Sequence, residues 1–229
     1  MRKPIQFAWA VLLLAVTPMA RAGDVIDRIV AIVNGHTILQ SDWDEALGYE
    51  ALAEHRVPGE PTAEQRKATL DRLIDQELIR EQMRSADFQH ATSTEVDRRV
   101  ADIRGQYSEI TSEEMWRAVL REYGLAEAEL RDKVSVELDE MRAIDARLRP
   151  SIQVDSRSVE KYYREKLLPE LRQSGAREVA LAEVAPKIRE ILAQQKINDL
   201  LVSWLQNLRS ESTIRKPQGS ANGSGGGGR

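Results

Sequence analysis

Cysteine is absent from the 229 residues. No disulfide framework, thiol nucleophile or cysteine-ligated metal site is therefore available. Histidine is scarce too, with three in the chain, His36, His55 and His90, so a histidine-rich metal centre is not expected. There is no surplus of basic charge: 33 Lys and Arg stand against 37 Asp and Glu. A net charge of −4 cannot neutralise a phosphate backbone, which argues against nucleic acid as a partner. Glycine is concentrated at one end, with six of the 13 in residues 219–229, and no proline occurs between Pro61 and Pro150. A long stretch without proline and with little glycine favours helix. Catalytic signatures are missing as well. No G-x-S-x-G elbow and no glycine-rich phosphate loop is present, and the many carboxylates fall on polar helix faces where solvated charge explains them.

The first 22 residues have a character of their own. Arg2 and Lys3 precede an apolar run from Phe7 to Val16, and Ala20-Arg21-Ala22 follows. A basic start, a short apolar core and an A-x-A site describe a secretory signal peptide over 1–22. Its removal would take away three of the 33 basic residues and none of the 37 acidic ones, moving the charge from −4 to −7. The expected destination is the periplasm, with no stable membrane insertion after cleavage.

In the body, Asp27-Arg-Ile-Val-Ala-Ile-Val33 and His36-Thr-Ile-Leu39 flank Asn34-Gly35. An Asn-Gly pair between two apolar runs predicts a β-hairpin. Ser41 is the expected N-cap of a first helix reaching about Glu54. Thr62 with Gln65 forms a capping box for a second, whose stripe is Leu70, Leu73, Ile74 and Leu78. A third helix is expected from near Thr94, and a fourth from Thr111 or Ser112 to a left-handed stop at Gly124. A fifth spans about Glu127 to Leu148, with Leu130, Val134, Leu138 and Met141 along one side, and Pro150 closes it. Ser156 or Ser158 caps the next helix, which Pro169 ends or kinks. Residues 173–183 read as a linker, after which Pro186 suits the first turn of a last helix with Ile188, Ile191, Leu192, Leu201, Trp204, Leu205 and Leu208 inward. Ser212 to Lys216 is a short strand candidate. It has no local partner, and the hairpin alone is marginal, so the two are expected to pair and join the chain ends in one domain. The fold class is mainly α with a small sheet. Aromatic residues on the predicted helices are mostly core anchors, but some could line a groove gripping apolar segments of another chain. The candidates are Trp43, Tyr49, Trp116, Tyr123, Tyr162 and Tyr163.

The segment Asp27 to Gly35 with Ile38, Ser41 and Asp42 resembles the start of SurA-type periplasmic chaperones. Leu70-Asp-Arg-Leu-Ile-Asp-Gln-Glu-Leu78 is similar to the second helix of that family. Ser93-Thr-Glu-Val96, Leu120-Arg-Glu-Tyr-Gly124, Glu129-Leu-Arg131 and the stretch from Val154 to Tyr163 follow in the family's order. Ile188-Arg-Glu-Ile-Leu192, Trp204-Leu205, Leu208-Arg209 and Ile214 are similar to its closing helix and strand. The resemblance implies an N-terminal part of a chaperone core over 24–163 and a returning C-terminal helix and strand over 184–216; the Gly-rich composition of 217–229 reads as a flexible tail. Relatives usually carry parvulin domains where this chain has only 164–183, too few residues for one, so isomerase activity is not implied. That connector, with Pro169 and Gly175, is expected to be the segment proteases reach first. The implied activity is ATP-independent holding of unfolded or unassembled exported polypeptides, outer-membrane proteins among them, without cofactor, metal or catalytic residue. Oligomeric state is left open. A divergent peptidyl-prolyl isomerase and an assembly factor with one dedicated partner are the alternatives.

Overall fold

The computed structural model describes residues 27–84 and 88–217, which leaves the expected signal peptide and all of the tail but Pro217 outside the described residues. Helix dominates. The order is β1 (Ile29–Val33), β2 (His36–Leu39), α1 (Gln40–Ala53), α2 (Ala63–Met83), α3 (Ser93–Gly105), α4 (Glu113–Glu122), α5 (Glu127–Leu148), α6 (Ser156–Tyr162), α7 (Leu168–Gln173), α8 (Leu181–Glu211) and β3 (Ile214–Arg215).

The Asn-Gly turn forms as its chemistry requires, with φ of 48° at Asn34 and 92° at Gly35. β1 is the central strand, antiparallel to β2 on one side and to β3 on the other. Val33 pairs with Ile214 and Ile32 with Arg215, so the expected union of the chain ends is present. A bulge between Ile29 and Ala31 interrupts the β1–β2 register, and with it the neighbours Val30 and Ala31 are both buried.

Two hydrophobic cores result. The first joins Val30, Val33 and Ile38 of the sheet to Trp43 and Leu47 of α1, Leu70, Ile74 and Leu78 of α2, and Leu208 of α8. Trp204, Leu205 and Ile214 pack on its edge. The second gathers Leu52 of α1, Val96 and Ile103 of α3, Trp116 and Leu120 of α4, and Leu130 and Val134 of α5. Helix α1 therefore serves both, and each Leu, Ile or Val removed from water contributes about 1.5–3 kcal/mol. A third contact closes the far end, where Val159 of α6 and Ile188 of α8 are buried and the two helices meet.

Several local expectations need correction. Helix α1 starts at Gln40, because Asp42 rather than Ser41 acts at its N-terminus: Leu39 N donates to Asp42 Oδ2 at 2.8 Å. Ser41 instead donates from N and Oγ to Asp27. Helix α3 starts at Ser93, beside the expected Thr94, and is capped by Thr92 with Glu95. Asp155 caps α6, accepting from Ser158 N at 2.8 Å and Ser158 Oγ at 2.8 Å, and these bonds hold its carboxyl below the usual range. Met141 is exposed, and Ala143 and Leu148 continue the inward side of α5. Pro169 does not end its helix. A π turn over Tyr163–Leu167 widens the coil just before it, making room for the ring and the missing N–H. The connector is thus largely helical, with only residues 174–180 outside the π turn, α7 and α8. Helix α8 starts at Leu181, so Pro186 lies inside it rather than in the first turn. Its buried positions include Ile197, which the apolar stripe had not included, whereas Ile191, Leu201 and Trp204 are half-buried.

Gly48 marks the tightest crossing. A Cβ added there would lie 2.1 Å from the Tyr123 carbonyl oxygen, at the end of α4. Alanine at a helix interior normally stabilises by about 0.5–1 kcal/mol; here it must push α1 off α4. Gly48→Ala is expected to destabilise by about 1–3 kcal/mol, read from the urea midpoint, and a stabilised variant would show that the crossing is looser than described.

Candidate functional site

The six candidate aromatics divide by burial. Trp43 and Trp116 are core side chains; Trp43 Nε1 donates to the Arg66 carbonyl at 2.9 Å. Guanidinium groups lie over both rings, Arg66 at 6.0 Å from the Trp43 centroid and Arg104 at 5.9 Å from that of Trp116. Tyr123 is buried as well. Its hydroxyl donates to the Arg56 carbonyl at 2.6 Å, while Tyr107 donates to the Leu52 carbonyl at 2.9 Å. Burial beside the Tyr123 hydroxyl pushes the Tyr107 phenol upward. These bonds fix the end of α1 and the turn after it to the second core. Three of the six are therefore anchors of the fold. Tyr49, Tyr162 and Tyr163 are half-buried, and Tyr163 donates to the Val179 carbonyl at 2.7 Å, tying the π turn to the approach of α8. The six are not brought together on one surface.

Packing of Tyr123 against α1 does create a concavity. A cleft of about 480 Å³ opens between α1, the end of α4 and the loop that links α1 to α2. Leu47, Ala51 and Tyr123 form apolar wall; Asp44, Arg56, Glu60, Arg66 and Glu122 supply charge of both signs. Val57 stands beside it on the loop, 88% exposed. Sequence reasoning treated that loop as a breaker only. The available signal was Val57 itself, an apolar residue between two helices with no packing partner in the pattern.

The second polar concentration runs along α5, where it meets α1, α3 and α2. Tyr49 donates to Glu137, which also accepts from Arg99 Nη2 at 3.2 Å. Burial, then the Glu137 contact, raises the Tyr49 phenol. One turn along, Glu140 accepts from Gln76 Nε2 at 3.3 Å. Burial pushes its carboxyl up to about 7, against the pull of Gln76 and Arg80. No perturbed carboxylate was legible in the sequence, since Glu140 sits on a helix rich in charge. It does not line the cleft, and no nucleophile or hydroxyl faces it among the described contacts, so its burial reads as a feature of packing. The histidines are exposed, as expected. His55 stacks on Tyr107 with centroids 4.4 Å apart, and His90 Nδ1 lies 2.7 Å from Asp139.

No described helix is long and apolar enough to cross a membrane. A family model described as the SurA-like N-terminal domain matches residues 1–142, which spans the hairpin, α1 to α4 and most of α5. No curated protein matches the chain.

The displaced Glu140 predicts a pH dependence. Its folded pKa of about 7 exceeds the ordinary 4.5, so the folded state holds the proton more tightly. The resulting stability is present below about pH 4.5 and is lost as pH rises through about 7. Glu140→Gln should flatten that fall and recover about 1–3 kcal/mol at pH 8 relative to wild type. Parallel denaturation curves at pH 5 and pH 8 check it; identical pH dependence of the two proteins would refute the assignment.

Proposed function

Because the chain belongs to the family of SurA-like N-terminal domains, we propose that it is an ATP-independent holdase for unfolded or unassembled exported polypeptides, outer-membrane proteins among them. The match over residues 1–142 carries this reading. Domains of this family are chaperone-type and not catalytic, and they are periplasmic. A periplasmic location reached through a cleaved signal peptide over 1–22 accords with that, and so does a role without enzyme activity, cofactor or nucleic acid.

A holdase must present apolar surface that remains wet when no client is bound, rimmed by charge that keeps the protein soluble. The cleft beside Val57 has both qualities. In this proposal an extended client lays an apolar side chain against Leu47, Ala51 and Tyr123 while Val57 closes over it. Arg56, Arg66, Glu60 and Glu122 then tolerate either sign of flanking charge, which suits clients of varied sequence. Tyr49, Tyr162 and Tyr163 offer further contact from their accessible faces, and Trp43 and Trp116 act through the fold. The charge of −7 expected once residues 1–22 are removed weakly favours cationic client segments. The short connector over 164–183, where relatives usually carry parvulin domains, supports holding without isomerisation.

The test is dilution of a urea-unfolded outer-membrane barrel protein with and without the chain, followed by light scattering. Suppression of aggregation at near-stoichiometric ratios is expected, without nucleotide. Val57→Asp, at an exposed loop position, should leave the circular dichroism unchanged and weaken client affinity about tenfold, the equivalent of losing ~1.5 kcal/mol of apolar burial. Undiminished aggregation would reject the holdase reading. Acceleration of X–Pro isomerisation beyond the uncatalysed tens to hundreds of seconds would favour an isomerase instead, and capture of one stoichiometric partner would favour a dedicated assembly factor.

A further inference from the structure

Outside the cleft, one buried side-chain oxygen among the described residues lacks a hydrogen-bond partner. Glu77 of α2 is 4% exposed. Its Oε2 accepts from Arg80 Nη2 at 2.6 Å, but its Oε1 has no hydrogen-bond partner. A carboxylate oxygen can only accept, so what completes it must be a donor or a cation. The nearest candidate is His36, the first residue of β2, whose Nδ1 lies 3.7 Å from that oxygen. The gap is too long for a hydrogen bond. Glu81, one helical turn beyond Glu77, faces the same space: one ligating atom from each of His36, Glu77 and Glu81 falls within 4.8 Å of the others.

We propose that His36, Glu77 and Glu81 form a binding site for a divalent transition-metal ion, Zn²⁺ in the first place, at the seam between β2 and α2. One imidazole with two carboxylates is a donor set that suits Zn²⁺, leaving further coordination positions for water. It suits Mg²⁺ and Ca²⁺ poorly, since both prefer an all-oxygen shell. The surroundings hold the ligands in place. Asn34 Nδ2 donates to Glu81 Oε2 at 2.7 Å, leaving the other oxygen of Glu81 open. The same amide reaches Ser212 Oγ at 3.1 Å, and Asn34 Oδ1 accepts from Thr213 N at 2.8 Å. An ion here would thus clamp the hairpin, α2 and the approach to β3 at one point. This role is independent of client binding.

Arg84 gives the site a distinctive signature. Its Nη2 lies 2.7 Å from His36 Nε2. A guanidinium only donates, so Nε2 accepts in this arrangement and Nδ1 carries the proton. If the metal takes Nε2, it displaces Arg84 directly. If it takes Nδ1, the proton moves to Nε2, which Arg84 must then leave. Either way the ion competes with Arg84, an exposed side chain just past the end of α2.

The test is calorimetric titration of the chelator-stripped full chain with ZnCl₂, and separately with MgCl₂, near neutral pH. One saturable Zn²⁺ site is expected, with no matching Mg²⁺ site, and a melting temperature that rises with Zn²⁺ concentration. His36→Gln and Glu81→Gln should each weaken binding at least tenfold, while His90→Gln leaves it unchanged. Arg84→Gln should tighten it, a gain that misfolding cannot produce, and affinity should fall in acid because only neutral imidazole ligates. Absence of saturable Zn²⁺ binding would overturn the proposal and assign the Glu77 oxygen to water. Equal binding by His36→Gln, or loss in His90→Gln, would overturn it too.

Discussion

The antiparallel pairing of β1 with β3 is the constraint on which the rest of this structure depends. It joins Val33 to Ile214 and Ile32 to Arg215, across almost the whole described chain. Ordering so long a loop is costly in entropy, though the cost grows slowly with length. The pairing is therefore reinforced by side chains. Asn34 N donates to the Thr213 carbonyl at 3.0 Å, and its amide answers with the Thr213 N–H. Arg209 Nε donates to Asp75 at 2.6 Å and Lys216 Nζ to Asp71 at 2.8 Å, so α8 and β3 are both tied to α2. Burial alone would raise the Asp71 carboxyl, but the Lys216 contact and the nearby Arg209 hold it below the usual range. Beneath these polar ties, Leu208 enters the first core, and Trp204 and Leu205 cover its edge.

With the ends closed, one helix has to serve two cores. Trp43 and Leu47 point from α1 into the first, and Leu52 into the second. Close contact with the end of α4 is possible only because position 48 carries no side chain. The same contact brings Tyr123 alongside α1 and opens the cleft by the loop at Val57. The proposed client surface is thus a by-product of how tightly α1 and α4 approach. The seam that gathers His36, Glu77 and Glu81 is in the same way a by-product of laying the hairpin across α2.

Much of this was legible in residue order. The Asn34-Gly35 turn, the Thr62–Gln65 capping box, the stripe from Leu70 to Leu78 and the bounds of α5 follow from local chemistry, and all recur in the structure. The closing strand was legible by a subtler argument, that a hairpin without company must find a partner. What escaped was non-local or compensated. The bulge at Val30 depends on what packs beneath the sheet, and the π turn ahead of Pro169 is a repair that a proline rule alone reads as a break. Burial of Trp43, Trp116 and Tyr123 could not be separated from groove lining, because a helix places an aromatic equally well against a core or a client. Glu140 and the Glu77 cluster depend on which helix faces which, and a single helical period does not encode that.

Membership in the SurA-like N-terminal domain family gives this architecture a chaperone-type setting. The proposed client surface then rests on a frame whose ends are closed. The central claim is that closure by α8 and β3 is what makes the chain a single cooperative unit. Urea unfolding of a variant lacking residues 181–217, beside the full chain, tests it most directly. The account predicts that the truncated protein shows no cooperative transition, because it loses Leu208 from the first core, the contact of α8 with α6, and the partner strand of β1. An unchanged midpoint and slope would contradict it and make the last helix and strand an appendage.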